Sequence, residues 1–156
     1  MANLDAPRGF APNVHQSGGT PARMSEYEIA SGTASDIFSG DLVSLTGSGR
    51  TIDIAATTAL ATTRVVGVFA GVYWTDANGD PKWSPYWPTG TVTLGAQPAK
   101  AMVYDDPNLE FTAQITTVAA ADIGQAFGWQ VGTGNVTNGQ SGAEINQGSA
   151  TAADTV

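Results

Sequence analysis

Arg64-Val65-Val66-Gly67-Val68-Phe69-Ala70-Gly71-Val72-Tyr73-Trp74 is the stretch on which the fold turns. It is apolar at nearly every position, as a strand buried on both faces must be. Gly67 and Gly71 interrupt it where a small barrel bends or bulges. Downstream, Asp76-Ala77-Asn78-Gly79-Asp80 contains Asn-Gly, the preferred pair for a two-residue hairpin turn because both central residues need positive φ. That register would set Trp74 opposite Trp83. The returning segment, Lys82 to Trp87, contains Pro85 and stops at Pro88, which assigns it to a sheet edge.

Short strands continue outward on both sides. Leu42–Thr46 and Thr51–Ala55 alternate apolar and polar residues around Gly47-Ser48-Gly49, the pattern of a hairpin. Tyr27–Ala30, Thr91–Leu94, Lys100–Tyr104, Glu110–Thr116 and Trp129–Val131 read as further strands, with Asp105-Asp106-Pro107-Asn108 as a turn. Ala56–Thr63 fits helix by its alanines and strand or loop by its threonines. Ala119–Ala126 is the one short helix the chain offers, weakened by Gly124. Residues 134–142 read as loop.

The two ends differ from this middle. Residues 1–25 contain Pro7, Pro12, Gly9, Gly18 and Gly19 without apolar periodicity, and predict an extended arm that another protein chain ties down. Residues 26–146 form the β-rich domain, and 147–156 a loose polar tail. The expectation is an all-β fold: a small antiparallel β-barrel or sandwich with one short helix and an N-terminal arm.

Composition narrows the function. The 156 residues suit one domain with appendages. The net charge of −8 disfavours nucleic acid, whose backbone demands a basic footprint. Arg8 and Arg23 nevertheless make the arm slightly positive against an acidic body. Met1–Phe10 lacks the apolar run of a secretory leader, and no run reaches a membrane span. With no cysteine and one histidine, no metal site or other cofactor is expected.

No catalytic set stands out. His15, in the arm, reads as a surface or interface residue. Asp105 and Asp106 are neighbours in an extended segment, so they point apart and share no proton. Asp76, Asn78 and Asp80 imitate the first ligands of a calcium loop, but Pro81 and Trp87 occupy the positions that need Gly and Glu. The dense aromatic set Tyr73, Trp74, Trp83, Tyr86 and Trp87 suits a core or a subunit interface, and if exposed a sugar-stacking platform.

The chain resembles the head decoration (cement) proteins of tailed bacteriophages. The resemblance rests on Met1-Ala2-Asn3-Leu4-Asp5-Ala6-Pro7-Arg8-Gly9-Phe10, Gly18-Gly19, Tyr27-Glu28-Ile29-Ala30 and Ile37-Phe38-Ser39-Gly40-Asp41-Leu42-Val43-Ser44-Leu45. It continues through Val65–Gly71, Tyr86-Trp87-Pro88, Tyr104–Pro107, Ala120–Gly124 and Asn138–Gly142. It implies a non-enzymatic virion protein, made in the host cytoplasm, that binds the outer surface of the assembled capsid. Its partners would be the major capsid protein and further copies of itself, with a homotrimer favoured. Leu4, Phe10 and Val14 are the apolar anchors the arm offers, Arg8 its charge-assisted contact, and Tyr86 and Trp87 further interface residues. Relatives often carry one more β segment after the Asn-Gly-x-Ser-Gly region, where this chain has only Glu144-Ile145 before its polar tail. The alternative is a carbohydrate-binding module, possibly virion-displayed, that stacks glycans on Trp74, Trp83 and Trp87.

Overall fold

The computed structural model describes residues 5–19, 23–47, 49–56, 64–115 and 117–151, with backbone alone for 148–151. Leu4 and nearly all of the ambiguous Ala56–Thr63 stretch lie outside these residues. The chain is all-β. Its strands are β1 (Ala11–His15), β2 (Ser25–Ile29), β3 (Ile37–Phe38), β4 (Leu42–Leu45), β5 (Ile52–Ile54) and β6 (Val65–Thr75), followed by β7 (Pro81–Ser84), β8 (Tyr86–Trp87), β9 (Ala99–Tyr104), β10 (Leu109–Thr112), β11 (Ala126–Gln130) and β12 (Glu144–Thr151).

The central sheet runs β2-β9-β6-β4-β5, with β7 paired to the far end of β6, and its ladders are antiparallel. β6 spans the quoted stretch, and its neighbours slip register at Val66 and at Ala70, beside Gly67 and Gly71. Gly67 is required there: a Cβ would stand 2.1 Å from the Tyr104 carbonyl oxygen. One isolated parallel bridge, Glu28 to Thr51, joins the two ends of the order, so the sheet curls without a closing ladder among the described residues. Inside lies a cluster of Ile29, Ile37, Val43, Ile52, Phe69, Val72, Trp87 and Val103, with Trp74 packed on it.

Three small ribbons flank this sheet: β3-β8, β1-β10 and β11-β12. Phe38 stacks on Tyr86 at 5.2 Å between ring centroids, and Gly134 lies so close to the Phe38 ring that any Cβ would collide with it. Trp129 docks the C-terminal ribbon by donating from its indole N–H to the Ala55 carbonyl at 3.2 Å.

Five local expectations are corrected. The arm is tied by its own chain, since β1 pairs with β10. Residues 147–151 of the expected loose tail continue β12 against β11, so a last β segment is present, and residues 152–156 of that tail lie outside the described residues. The short helix is a single 3-10 turn at Ala120–Asp122, held by the Asp122 carboxylate on the Ala119 amide and ended by Gly124 at φ +82. Thr91–Leu94 is not a strand. It leads into a 3-10 turn at Leu94–Ala96, where Thr93 donates its hydroxyl to the Gln97 carbonyl.

The fifth correction concerns register. Tyr73, not Trp74, faces Trp83, and Trp74 faces Lys82. Asp76 accepts the amides of Asn78 and Asp80 at 2.9 and 3.0 Å and stretches the loop to three residues, with Gly79 at φ +93. One extra loop residue moves every cross-strand pair by one.

Candidate functional site

The best-defined polar arrangement lies where the N-terminal segment crosses the domain. Gly9, at φ +75, lies on Gly40, which itself has φ +98. A Cβ on Gly9 would stand 2.7 Å from both the Gly40 oxygen and the Ser141 Cβ. Phe10 donates its amide to the Gly40 carbonyl at 2.9 Å, and Gly9 donates to Ala143 at 3.2 Å. Gly9 and Phe10 are thereby rooted on the domain, and Arg8 emerges next to the root.

Beneath the crossing sits Asp41, 1% exposed. One carboxylate oxygen accepts the Phe38 amide at 2.7 Å and the other accepts the Ser141 hydroxyl at 2.5 Å. The Ser141 oxygen in turn accepts the Ala143 amide at 2.8 Å. Burial pushes the Asp41 carboxyl above its ordinary value, against the Ser141 and Phe38 hydrogen bonds, which favour the ionised form. Asp41 thus ties the β3–β4 turn to the C-terminal loop on which Gly9 rests. Sequence reasoning met Asp41 only within the stretch that carries the resemblance and gave it no role of its own. Its position inside Ile37-Phe38-Ser39-Gly40-Asp41-Leu42-Val43, a carboxylate flanked by apolar strand residues, was the available signal.

The interface residues expected from sequence separate. Arg8 is exposed and has no ion-pair partner among the described residues. Phe10 is half-buried beside a cleft shared with Phe69 and Tyr104, so it anchors the segment to its own domain. Val14 is 38% exposed on β1. Tyr86 is half-buried against Phe38. Trp87 is 0% exposed, a core residue in edge contact with Trp74, and offers nothing to a partner. The three-tryptophan platform is therefore not formed: Trp83 alone is open, at 69%.

The remaining candidates are local ties. Asp105 accepts from Ser25 and Tyr27, whereas Asp106 faces His15 at 3.2 Å, so the two carboxylates do point apart. Ser17 sits 2.6 Å from the other nitrogen of His15, bringing serine, histidine and aspartate together. The Ser17 backbone amide also donates to that same nitrogen, Nδ1, at 3.1 Å. An amide can only donate, so Nδ1 accepts and Nε2 carries the proton toward Asp106. The ring staples the turn after β1 to the turn before β10. The Asp106 carboxyl is held below its ordinary value first by the Asn108 amide and then by His15.

Among the described residues no three His, Cys, Asp or Glu side chains converge on a common point. None of their helices is long and apolar enough to cross a membrane. No protein-family model, curated protein or solved structure matches the chain.

Proposed function

We propose that this chain is a non-enzymatic decoration protein that binds the outer surface of an assembled phage head and stabilises it by bridging major capsid protein subunits, acting as a homotrimer. The observation that supports this reading best is Arg8, exposed and without an ion partner among the described residues, next to the hydrogen-bonded crossing at Gly9 on a chain of net charge −8. An exposed guanidinium beside an anchored backbone offers a bidentate, charge-assisted contact to a neighbour's carboxylate. Many copies on one shell turn a modest contact into avidity.

The test is co-sedimentation with expanded, undecorated heads of the phage that encodes the protein. Removing residues 1–20 would also remove β1, so the informative variants are Arg8→Glu and Arg8→Lys. Saturable binding, weakened about tenfold or more by Arg8→Glu and partly kept by Arg8→Lys, is expected. Equal binding by all forms would keep decoration and discard the Arg8 contact. No binding by any form would discard decoration.

A glycan-binding reading keeps one observation, the exposed Trp83 ring beside Tyr73. It requires glycans to shield that indole from acrylamide quenching.

A further inference from the structure

Asparagine followed by glycine occurs twice in the sequence, as Asn78-Gly79 and Asn138-Gly139. Such a pair can rearrange without an enzyme. The glycine nitrogen attacks the carbonyl carbon of the asparagine side chain, the bond from that carbon to the side-chain nitrogen breaks, and ammonia leaves. Water then opens the cyclic imide to an aspartyl or an isoaspartyl linkage, with one new carboxylate and no change of oxidation state. Glycine favours the attack because it has no Cβ to obstruct it. The nitrogen is a poor nucleophile while its lone pair is delocalised in the peptide bond and its N–H is hydrogen-bonded, so the step waits for local opening of the chain.

The fold gives the two pairs opposite surroundings. Asn78 and Gly79 are exposed at the tip of the β6–β7 hairpin, and a Cβ on Gly79 would meet nothing within 4 Å. Among the described residues the Asn78 side-chain amide has no hydrogen-bond partner; only its backbone N–H is tied, donating to the Asp76 carboxylate at 2.9 Å. The Gly79 amide donates to the Asp76 carbonyl at 3.0 Å, within the same exposed turn. Asn138-Gly139 is instead built into the domain. The Asn138 side-chain oxygen accepts the Gln140 amide at 3.0 Å, and its nitrogen donates to the Gln140 side chain at 3.2 Å. Gly139 is buried, its Cβ position 2.4 Å from the Pro85 ring, and its carbonyl accepts the Ser39 amide at 2.9 Å. Two residues on, Ser141 donates to the buried Asp41. Opening this loop pulls on the crossing, whereas opening the hairpin tip breaks surface hydrogen bonds.

We infer that Asn78 is a site of spontaneous covalent modification, converting to an aspartyl or isoaspartyl linkage with release of ammonia, and that the fold keeps Asn138 intact. The new carboxylate arises between Asp76 and Asp80 in the sequence of a chain that already carries −8. An isoaspartyl linkage also lengthens the backbone by one carbon, in the loop whose length sets the Tyr73–Trp83 register. Among the described residues β7 pairs with β6 alone, so β7 is the strand that loosens. The inference does not rest on the decoration reading.

The test is timed incubation of the full-length protein in warm neutral buffer, folded and unfolded in urea, followed by peptide mapping in a mass spectrometer. In urea Asn78 and Asn138 should convert at similar rates. In the folded protein Asn78 should convert about tenfold faster or more, because the rate at each site follows the population of its open form. Labelling by an isoaspartyl methyltransferase marks the isoaspartyl fraction, and Asn78→Gln should remove the label from the hairpin. Hydrogen exchange in β7 should be faster in the isoaspartyl form than in Asn78→Asp, which adds the charge without lengthening the backbone. Equal exchange in those two forms would overturn the loosening of β7. Equal rates at the two asparagines in the folded protein, or an Asn78 that stays intact when folded while the urea sample converts, would overturn the assignment of the site.

Discussion

The interior of the β2-β9-β6-β4-β5 sheet and the crossing at Gly9 are held together by opposite means. In the sheet, large side chains are removed from water: Phe69, Val72, Trp87 and Val103 are each 0% exposed. Full burial of such side chains contributes roughly 1.5–3 kcal/mol apiece. At the crossing and in the loops beside it, side chains are absent where contact is closest. Gly9 lies on Gly40, Gly132 on Gly142, and Gly134 on the Phe38 ring, each where a Cβ would collide. What replaces hydrocarbon there is one buried carboxylate with its hydrogen bonds. A sheet core tolerates some change of shape, whereas a crossing of bare backbones tolerates neither an added methyl group nor a lost acceptor.

The largest effect should come from the core that the sheet encloses, into which Trp87 reaches from β8. Trp87→Ala is expected to lose about 3–5 kcal/mol in urea unfolding. Trp87→Phe should lose less than a ring of that size would suggest, because the Trp87 indole N–H is buried without a hydrogen-bond partner among the described residues. Equal losses for the two would mean that the site depends on the indole itself.

Next comes the crossing. Asp41→Ala leaves the Phe38 amide and the Ser141 hydroxyl buried without an acceptor, a loss of about 1–3 kcal/mol for each group. Asp41→Asn keeps one acceptor and offers a donor to Ser141, so it should lose less, and its deficit should depend on pH. The folded Asp41 carboxyl titrates above its ordinary value of 3.8. Stability from this group is therefore complete below that value and declines as pH rises through the folded one. The asparagine variant has no such decline, so its deficit should shrink as pH rises. Urea midpoints of both proteins across about pH 4 to 8 measure this, and a widening gap would mean that the hydrogen bonds outweigh desolvation.

The smallest global effect belongs to Gly9→Ala. It should lift the N-terminal root and speed hydrogen exchange at Phe10, while the core of the central sheet keeps its protection. Uniform loss of protection would join the two regions into one cooperative unit.

These differences also explain what could be read in advance. β6, the β4–β5 hairpin and the Asp105–Asn108 turn announce themselves by apolar patterning and turn chemistry, which are local. The three-residue loop at Ala77-Asn78-Gly79 was missed because Asn-Gly favours a two-residue turn, while the decisive group is the Asp76 side chain that accepts two amides. β12 was missed because Glu-Ile-Asn-Gln-Gly-Ser-Ala-Thr has no apolar alternation; it is a strand because β11 supplies its hydrogen bonds. Arg8 stands out in the sequence only as a basic residue of a prolyl segment that also carries Asp5 and Arg23, and nothing local distinguishes Trp83, which is open, from Trp87, which is enclosed.

The order of apolar and turn residues alone determined that this chain folds as short antiparallel strands, because alternation and turn propensity act over a few neighbouring residues. Tertiary structure decided that the N-terminal segment lies on its own domain, that Asp41 is buried beneath it, and that Trp87 is enclosed while Trp83 stays open. Each of those outcomes depends on which backbone arrives beside which, and that is set by the packing of the whole sheet.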